Sequence, residues 1–130
     1  MYEAVTHGVR VNVTPEFVED RSSPDDGRYF WAYTVEITNE RSEAVQLRSR
    51  LWRITDGNGR TEEVRGPGVV GQQPVLAAGG SFKYTSGCPL NTPSGIMVGT
   101  YQMTHENGQL FAVDIPAFSL DSPYARRVVN

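Results

Sequence analysis

Gly66-Pro67-Gly68-Val69-Val70-Gly71-Gln72-Gln73-Pro74 spells G-x-G-x-x-G, the letters of a dinucleotide-binding loop. Such a loop works only between a strand and a helix, because the helix N-terminus holds the pyrophosphate. Here Pro74 comes three residues after Gly71, and Gly79-Gly80 follow soon after. Nothing between them can carry a helix of useful length. The segment reads as a connection between strands, and the chain on both sides of it reads as β.

Upstream, Val9, Val11 and Val13 alternate with Arg10, Asn12 and Thr14, the period of a half-buried strand. Pro15 places that strand at an edge or near its end. Residues 20–28 are a polar loop. A second strand, Tyr29 to Thr38, sets Trp31, Tyr33, Val35 and Ile37 on one face. A turn over Asn39 to Glu43 leads into a third, Val45 to Thr55. Its apolar phase moves from Val45, Leu47 and Leu51 to Trp52 and Ile54, which predicts a bulge or a switch of face. Asp56-Gly57-Asn58-Gly59 is a hairpin turn, because Asn and Gly tolerate positive φ. It returns into a short strand, Arg60 to Arg65.

Downstream, Ser81 to Ser86 is a strand with Phe82 and Tyr84 on one face. Gly87 to Gly95, with Pro89 and Pro93, reads as irregular. Ile96 to His105 turns at Glu106-Asn107-Gly108 into Leu110 to Ile115, which Pro116 ends. About seven strands with regularly spaced turns predict an all-β, antiparallel β-sandwich. Trp52 with Tyr101 fits the buried-aromatic pattern of immunoglobulin-like domains, with Tyr101 in the role of a tyrosine corner bonded to nearby backbone.

The 130 residues are expected to form one domain, 1–130, with its core over about 5–118 and a flexible tail over 119–130. The net charge of −3 implies neither a nucleic-acid protein nor an acidic tail. No apolar run is long enough to span a membrane, and no leader pattern opens the chain. The single cysteine, Cys88, has no partner for an internal disulfide. A cytoplasmic location is expected.

The chain resembles the ApaG family from about Val5 to Phe118. The resemblance lies in Ser22-Ser23-Pro24-Asp25, Phe30 to Ile37, and Leu51-Trp52-Arg53-Ile54-Thr55-Asp56-Gly57-Asn58-Gly59. It continues through Gly66 to Pro74, Tyr84-Thr85-Ser86-Gly87-Cys88, Gly95-Ile96-Met97, Tyr101-Gln102-Met103 and Phe111 to Phe118. It implies a fibronectin type III/immunoglobulin-like sandwich. It also implies a module that serves in protein–protein contact in eukaryotic F-box proteins and in a polymerase-interacting protein. Bacterial members carry a name linked with cobalt and magnesium efflux or resistance. No catalytic residue comes with the family.

The glycine segment holds the candidate site: Arg65, Gly66, Gly68, Val69, Val70 and Gly71. The plain account is a tight connection whose three glycines take angles that other residues avoid. The functional account is either an anion-cradling nest of N–H groups or exposed Val69 and Val70 as partner contacts, with Val75 and Leu76 adjoining. Pro67, which has no N–H, weakens the cradle. Gly68→Ala is expected to remove anion binding if the cradle exists.

Arg48 and Arg50 are placed on one strand face, with Arg53, Arg60 and Arg65 nearby, a surface of the kind that meets phosphates or an acidic partner; the preferred account is a solvated face paired with Glu62 and Glu63. His7, His105 and Cys88 lack metal-ligand spacing, and Asp20, Asp25 and Asp26 read as solvated loop charge. A nucleophilic Cys88 needs a base, and no sequence pattern requires either His to stand near it, so a small semi-buried Cys is the preferred reading; Ser81, Ser86 and Ser94 lack a nucleophile elbow.

The expectation is a non-enzymatic binding module without cofactor or metal, recognising an unknown protein partner through the glycine segment or a free sheet edge. A homodimer through the same edge is the variant of that reading. The alternative is a sensor of a phosphate-bearing small ligand or pyrophosphate at the glycine segment and Arg65. Nucleic acid and membrane are not expected partners.

Overall fold

Alternating apolar residues bury one face of each strand, and two such sheets bury those faces against each other. The computed structural model describes residues 1–125. Among them are nine strands: β1 Tyr2–Thr6, β2 Val9–Phe17, β3 Tyr29–Asn39, β4 Val45–Asp56, β5 Thr61–Pro67, β6 Val75–Leu76, β7 Ser81–Leu90, β8 Gly95–His105 and β9 Leu110–Leu120. One sheet runs β1-β2-β3-β7; the other runs β5-β4-β8-β9, with β6 beside β4, and all the pairings are antiparallel. The polar loop holds two 3-10 turns, Glu19–Arg21 and Pro24–Asp26. The all-β sandwich read from the sequence is the fold.

The core is a single apolar layer between the sheets. Trp31, Val35 and Ile37 of β3 are fully buried, with Val9, Val11 and Val13 of β2 beside them. Trp52 packs edge-on against Tyr33 at 5.4 Å and against Phe118 at 5.8 Å between ring centres. Burying aromatic rings of this size supplies a large share of the hydrophobic stabilisation, about 25 cal/mol per Å² removed from water.

Two strands escaped the sequence reading. β1 joins β2 through His7-Gly8, with φ of 50° and 78°, the geometry of a two-residue hairpin. His is a weak signal for that turn. The other is the two-residue β6. The third strand's change of phase is a bulge, as predicted: the register with β8 shifts between Leu47 and Ser49. Leu51 thereby leaves the inward row of Val45 and Leu47, and Arg50, Trp52 and Ile54 take it up.

The prolines sit where no N–H is needed. Pro15 lies beyond Tyr2↔Val13, the last β1–β2 pair, so β2 has no neighbour on that side there. Pro116 does not end its strand. It lies in a bulge on edge strand β9, where the register shifts between Met97 and Gly99. Gly87 to Leu90 is not irregular either; it continues β7 along Tyr29 to Ala32 of β3.

The tail does not begin at 119. Ser119 lies in β9, as does the fully buried Leu120. Beyond them the Trp31 indole N–H donates to Asp121 O at 2.8 Å, Ser122 Oγ donates to Pro93 O at 2.6 Å, and Tyr124 packs on Phe17 and Tyr29. The rest of the expected tail, 126–130, lies outside the described residues.

Tyr101 is not a tyrosine corner. Its hydroxyl meets that of Tyr84 at 2.5 Å across the core, not backbone. Tyr101→Phe and Tyr84→Phe are each expected to cost about 1 kcal/mol, and the double variant little more than either, because one bond is lost in all three. Denaturant melts of the four proteins would show it; additive losses would mean the hydroxyls act separately.

Candidate functional site

The two sides of the sandwich differ. On one, β1 closes onto β9: Asp114 N donates to Thr6 Oγ1 at 3.1 Å and Ser119 N to Tyr2 Oη at 3.4 Å. On the other, β5 and β7 are the outer strands of their sheets and, among the described residues, no strand bridges them. Between them runs a groove made of three crevices of about 290, 350 and 370 Å³. They share walls. Tyr33, Arg50, Trp52 and Ser86 line the first and second; Ile54, Glu62, Pro89 and Leu90 line the second and third.

The glycine segment caps one end of this groove. Gly68 N donates to Arg48 O at 2.8 Å, so the segment is anchored on the bulge. Val69 and Gln72 exchange both backbone hydrogen bonds at 2.8 Å, which closes a turn whose tip is Val70-Gly71 at φ 44° and 78°. Gln73 Nε2 donates to Arg48 O, and Leu47 N to Pro74 O, before β6 begins. No helix follows. The segment is the tight connection of the plain account.

Its residues do different work from that expected. Val69 is a core residue, 1 % exposed, and not a partner contact. Leu76 is buried too. Val70, 52 % exposed, and Val75, 64 % exposed, are the apolar groups that reach solvent. Gly68 and Gly71 have positive φ, but Gly66 does not. Gly66 makes room for a side chain instead: a Cβ there would meet the Arg50 guanidinium at 2.9 Å and displace it.

Arg65 does not join the segment. It pairs across from Leu51 on the outward face and sits 3.8 Å from Glu63. Arg50 takes that place. Its Nη1 donates to Pro67 O at 3.1 Å and to Gly68 O at 2.8 Å. Arg48 and Arg50 do not form one solvated surface, because the bulge lies between them. Arg48 is exposed and bonds Gln46, whereas Arg50 lines the groove. Its signal in the sequence was the same change of phase that predicted the bulge.

Cys88 lies on the groove wall. Burial pushes its thiol up to about 11, and Glu62 pushes the same way. It is a thiol at neutral pH, the opposite of what a nucleophile needs. Burial likewise raises the Tyr33 and Tyr84 hydroxyls, while the Arg50 charge pulls both down. Among the described residues no three His, Cys, Asp or Glu side chains converge, and no helix is long and apolar enough to cross a membrane.

The ApaG domain family matches residues 19–105. Protein ApaG of Brucella anthropi is 61 % identical over 130 residues, all of both chains. That of Methylorubrum populi is 63 % identical, again over all of both. A crystal structure of a protein designated ApaA from Bordetella pertussis superposes with a TM-score of 0.86 at 52 % identity, over 95 % of this chain and 98 % of that one. The match covers more than half of the chain by the family's own pattern and all of it in these relatives: the chain belongs to the ApaG domain family.

Proposed function

We propose that this protein is a non-enzymatic, cytoplasmic binding module that holds an extended segment of a protein partner along the open side of its sandwich. The observation that carries this reading is the continuous groove between two unpaired strand edges. Unpaired edges offer backbone donors and acceptors, and inward rows of side chains give specificity to alternate residues of an added strand. The groove also has an apolar wall and floor in Val64, Trp52 and Leu90. In this reading, any connection with cobalt or magnesium runs through the partner.

Val70 supports the same side. A β-branched residue at φ 44° is strained, and Asn or Gly would be easier there. Keeping an exposed Val at the groove's rim favours use of its side chain. The anion-cradle reading has less support. Gly68, Val69 and Gln72 donate their N–H groups to carbonyls within the fold, and Arg65 is directed elsewhere.

A photo-crosslinking amino acid at Ser86, on the groove wall, tests the reading against one at Thr14, an exposed position on the outer face of the same sheet. In cells, the Ser86 probe should yield a defined adduct that the Thr14 probe does not, and Val70→Asn should diminish it while raising Tm. An adduct with twice the mass of the chain would identify a second copy as the occupant. Equal labelling from both positions would remove the groove as the site.

A further inference from the structure

Arg50 is a charged side chain turned inward. The bulge near Arg48 sets it in the row of Trp52 and Ile54, across from Gly66, Val64 and Glu62 of β5. Its guanidinium is held on one side by the Pro67 and Gly68 carbonyls and lies against Gly66. The fork is thus fixed in place before any ligand arrives, which lowers the entropy cost of binding.

Its charge is not matched locally. Arg10, Arg41, Arg53 and Arg65 each pair with a glutamate. Among the described residues Arg50 pairs with no carboxylate. A partly buried guanidinium without a counter-ion is a binding group for an anion. The Ser86 and Tyr33 hydroxyls line the same crevice and can donate to it, while Trp52 and Tyr84 limit its width.

The far end holds two carboxylates, Asp56 and Glu62, beside Arg60. Glu62 lines the second and third crevices and, among the described residues, pairs with no cation. It stands four residues from Gly66, about 13 Å along an extended strand. Residues four apart on a strand point the same way. One extended segment can therefore meet both poles, whereas a small anion would meet only Arg50.

Resting on the extended-segment reading above, we infer that the groove reads charge: Arg50, with Ser86, takes the carboxylate of an Asp or Glu side chain in the bound segment, and Glu62 takes a Lys or Arg four residues away on the same face of it.

A phage-displayed library of random dodecapeptides, selected on the purified full chain, tests this. Wild type should enrich peptides with an acidic and a basic residue four apart. For an enriched peptide, Arg50→Gln should weaken binding at least ~10-fold, and Arg50→Lys less. Glu62→Lys, an exposed change away from the loop, should replace the basic preference with an acidic one. Each variant is compared with wild type by its melting temperature and amide NMR spectrum. Because Glu62→Lys leaves the Arg50 contacts intact, it decides the case if Arg50→Gln unfolds.

Two results would overturn the charge reading alone: enriched peptides with no charge pattern, or an acidic preference undiminished in Arg50→Gln. No enrichment, or binding that survives Ser86→Trp, would overturn the groove itself and the charge reading with it.

Discussion

Gly68→Ala should cost about 3 kcal/mol or more, while Gly71→Ala, three residues on, should cost only about 1 kcal/mol. Both glycines have positive φ, 58° and 78°, so both substitutions carry the left-handed penalty. They differ in space. A Cβ on Gly68 would stand 2.1 Å from Gln72 O and 2.9 Å from Gln72 C, both rigid backbone. A Cβ on Gly71 meets nothing within 4 Å. Relieving the first clash means breaking the Val69–Gln72 pair and pulling Val69 out of the core. The loss of Gly68 N to Arg48 O would follow, and with it the carbonyls that hold Arg50.

Denaturant unfolding of both variants measures the difference directly. Equal losses would mean that the connection is not closed as described. The contrast also changes what Gly68→Ala can say about ligands. A variant that opens the connection weakens any binding at that end of the groove, so its loss of binding does not identify an anion cradle. Gly71→Ala is the informative variant for that purpose, since it changes the tip and leaves the anchor.

The fold was legible because its signals are local and periodic. The Trp31 to Ile37 alternation, the Asp56 to Gly59 turn and the change of phase at Leu47 to Trp52 each need only neighbouring residues. What stayed hidden depends on distant partners. Nothing near Pro116 shows that it lies in a bulge on an edge strand. Nothing near Asp121 shows that the Trp31 indole reaches it across the fold. The candidate site was legible as a segment and not as a surface. Its letters marked residues 66–74, but which valine is buried, and which arginine turns inward, follows from the register of β4 with β5 and β8. The change of phase held that information for Arg50.

The residue least marked by the sequence, Asn39, carries the second large effect. It reads as the first residue of a turn. In the structure it is fully buried at the end of β3 and joins three segments. Its Nδ2 donates to Glu43 O at 2.9 Å, Leu76 O at 3.0 Å and Ala77 O at 3.2 Å, and its Oδ1 accepts from Arg41 N at 3.0 Å. It thereby fixes β6 beside β4 and sets the far end of the connection that caps the groove. Asn39→Ala should cost about 3–4 kcal/mol and lower Tm by roughly 10 °C, because four backbone groups lose their partner around a buried position.

Asn39→Asp has nearly the same shape and separates hydrogen bonding from packing. Its carboxylate would face three carbonyl oxygens, so burial and repulsion raise its pKa in the folded state above the unfolded value. The variant then binds more protons folded than unfolded over that range. Its deficit against wild type, measured at the same pH, should shrink as pH falls toward about 4 and grow as pH rises. A deficit that does not change with pH would mean that the side chain at 39 acts through its volume, and the link from β3 to the groove's cap would have to be carried by backbone contacts at Gly79 and Gly80 alone.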